Sequence, residues 1–141
     1  MEIRKVKTSE IRVATYNPRK NLQPGDVEYE KLKKSIESFG YVDPVIWNSK
    51  TGNLVGGHQR YTVLLAQGVK EVDASVVDLS LEQEKILNLV LNRVQGKWDE
   101  DKLALLLDEL SRIPDFNIGL TGFDKIEISQ IFDGCIETAK E

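Results

Sequence analysis

Apolar positions along this chain change period several times, and each change marks an element. From Glu2 to Val13, Ile3, Val6, Ile11 and Val13 are interspersed with charged residues, which predicts an edge strand and a turn. Asn17-Pro18-Arg19 and Gln23-Pro24-Gly25-Asp26 then read as a loop. Tyr29, Leu32, Ile36 and Phe39 recur at helical spacing and predict a helix over about Val27–Phe39, with Asp26 as N-cap and Gly40 as stop. Short β-type runs follow at Pro44-Val45-Ile46-Trp47 and Asn53-Leu54-Val55, separated by a turn over Asn48–Gly52. A second helix, about His58–Gln67, is expected to bury Tyr61, Leu64 and Leu65, and Val72–Val77 reads as a strand. Beyond it the pattern is helical only. Ser80-Leu81-Glu82-Gln83 is a capping box opening a helix to about Asn92 or Val94, and Gly96-Lys97-Trp98 breaks it. Asp99 caps a helix striped with Leu103, Leu106, Leu107 and Leu110 that Pro114 ends. Phe123-Asp124 with Glu127 opens a last helix, to about Phe132.

The pattern therefore predicts an α/β core over residues 1–80 and an all-helical extension, residues 81–141, packed on it as one compact domain. A chain of 141 residues is long enough to bury a core of that kind. No apolar run is long enough to span a bilayer and the first residues lack a signal peptide's apolar stretch, so a cytoplasmic protein is expected. Cys135 is the sole cysteine and His58 the sole histidine, which excludes an intramolecular disulfide and gives no basis for a metal site. Net charge is −4, with basic residues gathered in the N-terminal half and acidic ones dominating after Asp99. Strong nonspecific DNA binding by this chain alone is not favoured, because phosphate contact calls for a basic surplus. Trp47 and Trp98 each adjoin apolar segments and read as core rather than as base-stacking residues. The acidic residues at Glu28, Glu30, Glu37, Glu82 and Glu84 read mostly as solvated helix faces, with Glu37 or Asp43 as candidates to line a pocket.

Chemistry concentrates at Val55-Gly56-Gly57-His58-Gln59-Arg60, where an apolar strand enters a Gly-Gly turn and leaves as a helix. Paired glycines let a ligand approach the backbone. A helix start offers N–H groups and the positive end of its dipole to an anion. His58, Gln59 and Arg60 add side-chain donors, and Arg60 can grip a phosphate through two hydrogen bonds. The turn is not a P-loop, lacking its Lys-Ser/Thr ending. A plain strand-to-helix connection with a solvated Arg60 explains the same residues about as well.

The turn resembles the signature of the ParB/sulfiredoxin superfamily, in which ParB proteins carry Gly-Glu-Arg-Arg and sulfiredoxins Gly-Gly-Cys-His-Arg. Asn17-Pro18-Arg19, Leu32-Lys33-Lys34-Ser35-Ile36, Gly40 and Pro44-Val45-Ile46 fit the same family in order and spacing. The resemblance implies a small mixed sheet with packed helices. It also implies a nucleoside triphosphate with Mg2+ held at Gly56, Gly57, His58, Gln59 and Arg60, with Ser35, Arg19 and Asn92 near the same pocket. Ser35 reads equally as a solvent-facing helix residue and Asn92 as a helix cap. Departures from the family matter. No cysteine stands in the turn, which excludes sulfiredoxin chemistry. Leu91-Asn92 replaces the Glu-Asn pair of ParB proteins, so the carboxylate suited to a hard cation is lost.

The stretch from Leu87 to Asp99 and the tail Leu120-Thr121-Gly122-Phe123-Asp124 resemble the ParB-like domains of phages and mobile elements, often joined to a DNA methyltransferase. The expected function is binding of nucleotide or nucleic-acid phosphates through the turn, serving a DNA-modification or mobile-element system, with a DNA methyltransferase as partner in cis or trans. The alternative is an enzyme, a phosphotransferase, NTPase or nuclease, using the same turn; the sequence does not decide whether there is turnover.

Overall fold

The structure is a computed structural model that describes residues 1–17, 22–93 and 98–140, with backbone alone at 118 and 135–140. The chain divides into two compact units, Met1–Gln95 and Gly96–Glu141. The first contains strands β1 (Glu2–Lys7), β2 (Arg12–Val13), β3 (Val45–Asn48), β4 (Asn53–Gly56) and β5 (Glu71–Val77). Its helices are α1 (Val27–Phe39), α2 (His58–Ala66) and α3 (Leu81–Arg93). The second unit contains α4 (Glu100–Ser111) and α5 (Lys125–Lys140), with a 3-10 turn, Ile118–Thr121, between them.

The strands form one mixed sheet in the order β1-β5-β3-β4-β2. β1 pairs antiparallel with β5 and β3 antiparallel with β4, while β3–β5 and β2–β4 are parallel. Alternation along the strands places Val6, Val72, Ala74, Val45, Trp47 and Leu54 in one buried cluster, completed by Tyr61 and Leu64 of α2. The ladder slips between Ile46 and Trp47, so that Trp47 faces Leu54 but Ile46 faces Gly56. This irregularity lies immediately before the Gly-Gly turn, where bulges commonly re-aim a strand end.

The elements lie where the periodicity puts them, but several faces differ. In α2 the buried residues are Tyr61, Val63 and Leu64, while Leu65 is exposed. Phe39, at the end of α1, is exposed, and so is Leu106 of α4, whose buried stripe is Leu103, Ala104 and Leu107. Trp47 is buried and its Nε1 donates to Gly52 O at 3.0 Å, whereas Trp98 is 68% exposed, contrary to the expectation of burial. The last helix runs on to Lys140 rather than stopping near Phe132. The expected boundary near residue 80 differs from the division by contacts: α3 packs on β4 and belongs to the first unit. The expected break at Gly96-Lys97 lies outside the described residues.

Three predicted caps form as bonded pairs. Ser80 Oγ accepts the Gln83 N–H at 3.2 Å while Gln83 Oε1 accepts the Ser80 N–H at 3.1 Å. Asp124 and Glu127 reciprocate at 2.8 and 3.2 Å, and Asp99 accepts the Lys102 N–H at 3.2 Å. Asp26 holds the N-cap position of α1, but its carboxylate turns back to accept the Gln23 N–H at 2.8 Å.

Candidate functional site: a glycine turn facing helix α3

β4 ends at Gly56, and Gly57 takes a left-handed conformation, φ 81° and ψ 26°, as the N-cap of α2. Two constraints make glycine necessary there. The left-handed φ is unfavourable for residues with a side chain. A Cβ on Gly57 would also stand 2.8 Å from Arg60 Nη2 and 2.9 Å from Val45 Cγ1. Gly57 has no side chain with which to cap α2; the first helical bond is the Tyr61 N–H to Gly57 O, at 2.9 Å. The N–H groups of Gln59 and Arg60 precede that bond, at the positive end of the helix dipole.

The turn opens onto a cavity of about 320 Å3, at the lower end of the range for small-molecule sites. Asp43, Pro44 and Ile46 line one side, Val55 to Arg60 the floor, and Leu91 and Asn92 of α3 the other side. Arg60 is the cation of this lining and Asp43 its carboxylate, and the two form an ion pair at 3.3 Å. Arg60 Nη2 also donates to Pro44 O at 3.4 Å, while its Nε is buried with no hydrogen-bond partner among the described residues. Tyr41 braces the same corner: its hydroxyl donates to Asp73 O at 2.6 Å and accepts the Val45 N–H at 2.7 Å. Burial above all raises the Tyr41 phenol from its ordinary value, which keeps it a donor.

Of the residues expected at the site, Gly56, Gly57, His58, Gln59, Arg60 and Asn92 line this one cavity. Asp43 joins them, as anticipated for one of two carboxylates; the other, Glu37, is exposed on α1 and is not part of the lining. Ser35 is half-buried within α1 and does not line the cavity, being offset from it in the fold. Arg19 lies outside the described residues. Asn92 is not a helix cap. Its Nδ2 donates to Asn88 O at 2.9 Å and Asn88 Oδ1 at 3.3 Å, so its acceptor oxygen is the polar end left for a ligand. In that arrangement it suits a hydroxyl, an amine or a cation better than a bare phosphate oxygen.

The residue the sequence reading missed is Glu84. It reads there as a solvated helix position, yet it is 0% exposed. Its carboxylate accepts from the Tyr16 hydroxyl at 2.5 Å, Asn48 Nδ2 at 2.9 Å, Asn53 Nδ2 at 3.0 Å and the Thr51 hydroxyl. Burial alone would raise its pKa, but these donors outweigh it and hold the carboxyl below its ordinary value. Burial and then the Glu84 carboxylate push the Tyr16 phenol far above its own. The available sequence signal was the cluster Asn48, Thr51 and Asn53, an uncommonly polar hairpin for residues that flank core strands.

In the second unit α4 packs on α5, and the Trp98 and Phe123 rings stand 5.8 Å apart, tilted by 59°. Charge divides sharply between the units. Residues 1–95 carry fourteen basic and twelve acidic side chains, a balance of +2. Residues 96–141 carry five and eleven, a balance of −6, which with the first gives the chain's −4. Among the described residues no helix is long and apolar enough to cross a membrane. No cluster of three His, Cys, Asp or Glu side chains among them could hold a metal ion.

Comparison with known proteins fits this geometry. Residues 1–93 match the ParB N-terminal domain family, and residues 101–141 match the ParB-methyltransferase HTH domain. No curated protein shows a significant match. The C-terminally truncated chromosome-partitioning protein ParB from Caulobacter crescentus, complexed with CTP-gamma-S, shares the fold with a TM-score of 0.70 and 17% identity. That alignment covers 93% of this chain and 77% of the other. The Pnob8-like ParB-N domain aligns with a TM-score of 0.52 and 23% identity, over 79% of this chain and 45% of that one. The same Caulobacter protein complexed to the centromeric parS site aligns with a TM-score of 0.50 and 16% identity, over 92% and 64%. With a sheet, a glycine turn and a facing helix in this order, and the family model matching residues 1–93 of the chain's 141, the chain belongs to the ParB N-terminal domain family.

Proposed function

We propose that this chain is a nucleotide-binding module whose Gly56–Arg60 turn holds the phosphates of a nucleoside triphosphate. The observation that carries the reading is the turn itself. Gly57 leaves no room for a side chain and offers none to cap α2, and Arg60 reaches the same cavity with a buried Nε that has no partner among the described residues. Each of these suits an anion brought close to the backbone. The shared fold of a ParB protein complexed with CTP-gamma-S supports the same reading. Turnover has less support. The cavity's carboxylate, Asp43, is paired with Arg60, and Leu91 stands where ParB proteins place an acid. A Mg2+ ion travelling with the nucleotide would meet the acceptor oxygen of Asn92 and, once released from Arg60, Asp43; it would neutralise phosphate charge there.

The match of residues 101–141 to a ParB-methyltransferase HTH domain supports service in a DNA-modification or mobile-element system, with a DNA methyltransferase as the partner. The balance of −6 in residues 96–141 argues against that unit gripping DNA through phosphates on its own. Nucleotide is therefore the ligand this chain is best equipped to bind unaided.

A thermal-shift screen of the common ribonucleoside triphosphates, with and without Mg2+, tests the reading, because a ligand that prefers the folded state raises the melting temperature. One triphosphate should stabilise the chain, and Arg60→Ala should weaken its binding by roughly 10- to 100-fold, the loss of a charge-assisted contact. No shift with any triphosphate, or an unchanged affinity in Arg60→Ala, overturns it.

A further inference from the structure

Helix α3 buries an inverted face. Ile86, Leu89 and Val90 are exposed, while Glu84 at 0% and Asn88 at 1% exposure point inward. With Asn92, these residues stand four apart and so form one row along the helix. The row makes three successive attachments. Glu84 gathers the β3–β4 hairpin through Asn48, Thr51 and Asn53, and the loop after β2 through Tyr16. Asn88 Nδ2 donates to Val55 O at 3.0 Å, on the residue immediately before Gly56. Asn88 also accepts from Asn92, which lines the cavity.

We infer that Glu84 and Asn88 are positioning residues that set the distance and alignment between the glycine turn and the Asn92 wall of the cavity. Val55 lies in the floor of the cavity and Asn92 in its α3 wall, and the Asn88 amide bonds to both through its two ends. Neither of those bonds can shift without moving the other. Both polar groups are buried, so no water replaces a lost partner cheaply. Glu84, one turn earlier, stops α3 from sliding along β4, because four donors from two segments converge on its carboxylate. This role rests on the nucleotide reading for its purpose but not for its geometry.

Amide NMR of the full 15N-labelled chain tests it without ligand. Asn88→Ala should shift the Val55–Tyr61 amides and the Asn92 side-chain NH2, and should raise exchange of the Tyr61 N–H by roughly tenfold or more through local opening. Asn88→Asp keeps the side-chain shape and an acceptor for Asn92 but has no donor for Val55. It should shift the turn amides while the Asn92 NH2 stays bonded. Leu87→Ala, on the same helix, serves as a control for general destabilisation and should leave the turn amides in place. Titration with sodium tripolyphosphate and Mg2+ supplies the second readout. Asn88→Ala and Asn92→Ala should each weaken binding, and the double variant should be no weaker than the worse single one, because linked residues do not add. Unmoved turn amides in both Asn88 variants, shifts of the same pattern in Leu87→Ala, or additive losses overturn the inference. If the wild-type chain ignores tripolyphosphate and every nucleoside triphosphate, the nucleotide reading falls, and the ligand-free amide pattern alone decides the positioning role.

Discussion

Two polar clusters sit at opposite ends of α3, one closed around a carboxylate of the chain's own and one lining an open cavity. At one end four side-chain donors close around the Glu84 carboxylate, which the chain supplies itself. At the other end the turn, Arg60 and the start of α2 line an open cavity whose only carboxylate among the described residues is the 70%-exposed Asp43. The difference lies in what the donors belong to. Around Glu84 they are side chains of a hairpin and a loop, which fold onto a fixed partner. Around the cavity they are backbone groups of the strand-to-helix turn and the Arg60 guanidinium, which Pro44 O and Asp43 hold. The Glu84 cluster thus ties distant segments of the fold together, while the donors of the turn are positioned by local backbone geometry.

The comparison breaks most visibly at Glu84. Glu84→Ala leaves four donors facing an apolar gap, so the first unit should lose about 3 kcal/mol, with a melting temperature lower by on the order of 10 °C. Circular dichroism measures this directly; a change of under about 1 kcal/mol would mean that the network is dispensable. Acid should produce a smaller effect of the same origin. The folded state holds the Glu84 carboxyl below its ordinary pKa, so its contribution is complete at neutral pH and is lost as pH falls below the usual carboxylate range. The urea midpoint should therefore fall between about pH 5 and pH 3, and fall less in Glu84→Gln; parallel curves for the two proteins would dissociate the acid sensitivity from this residue.

The smallest effect belongs to the open end. Asp43→Asn removes the charge that now occupies Arg60, at an exposed pair worth little. Triphosphate affinity in isothermal titration should rise roughly two- to fivefold with no loss of melting temperature, as expected for a surface pair of about 0.2–1 kcal/mol. Weaker binding would instead make Asp43 a contributor to the ligand's coordination rather than its competitor.

Local chemistry was legible in the sequence because it depends on near neighbours. Ser80 with Gln83, Asp124 with Glu127, and Asp99 with Lys102 all form the caps their spacing implies. Gly56 to Arg60 and Asn92 meet in one cavity because the family pattern fixes their order along a known topology. What the sequence did not convey is which side of a helix faces inward when that side is polar. The same limit applies to α2, where Val63 is buried and Leu65 is exposed. Asp26 shows it at short range: two acceptable donors compete, and the Gln23 N–H prevails over the helix start.

Gly57 has a consequence for how such a cavity diversifies. Its neighbours His58 and Gln59 line the same cavity from the first turn of α2, and Asn92 arrives from a separate helix. Gly57 itself has no permissible substitute, because any Cβ meets both Val45 and Arg60. Any change of residue at Gly57 therefore displaces the floor of the cavity itself.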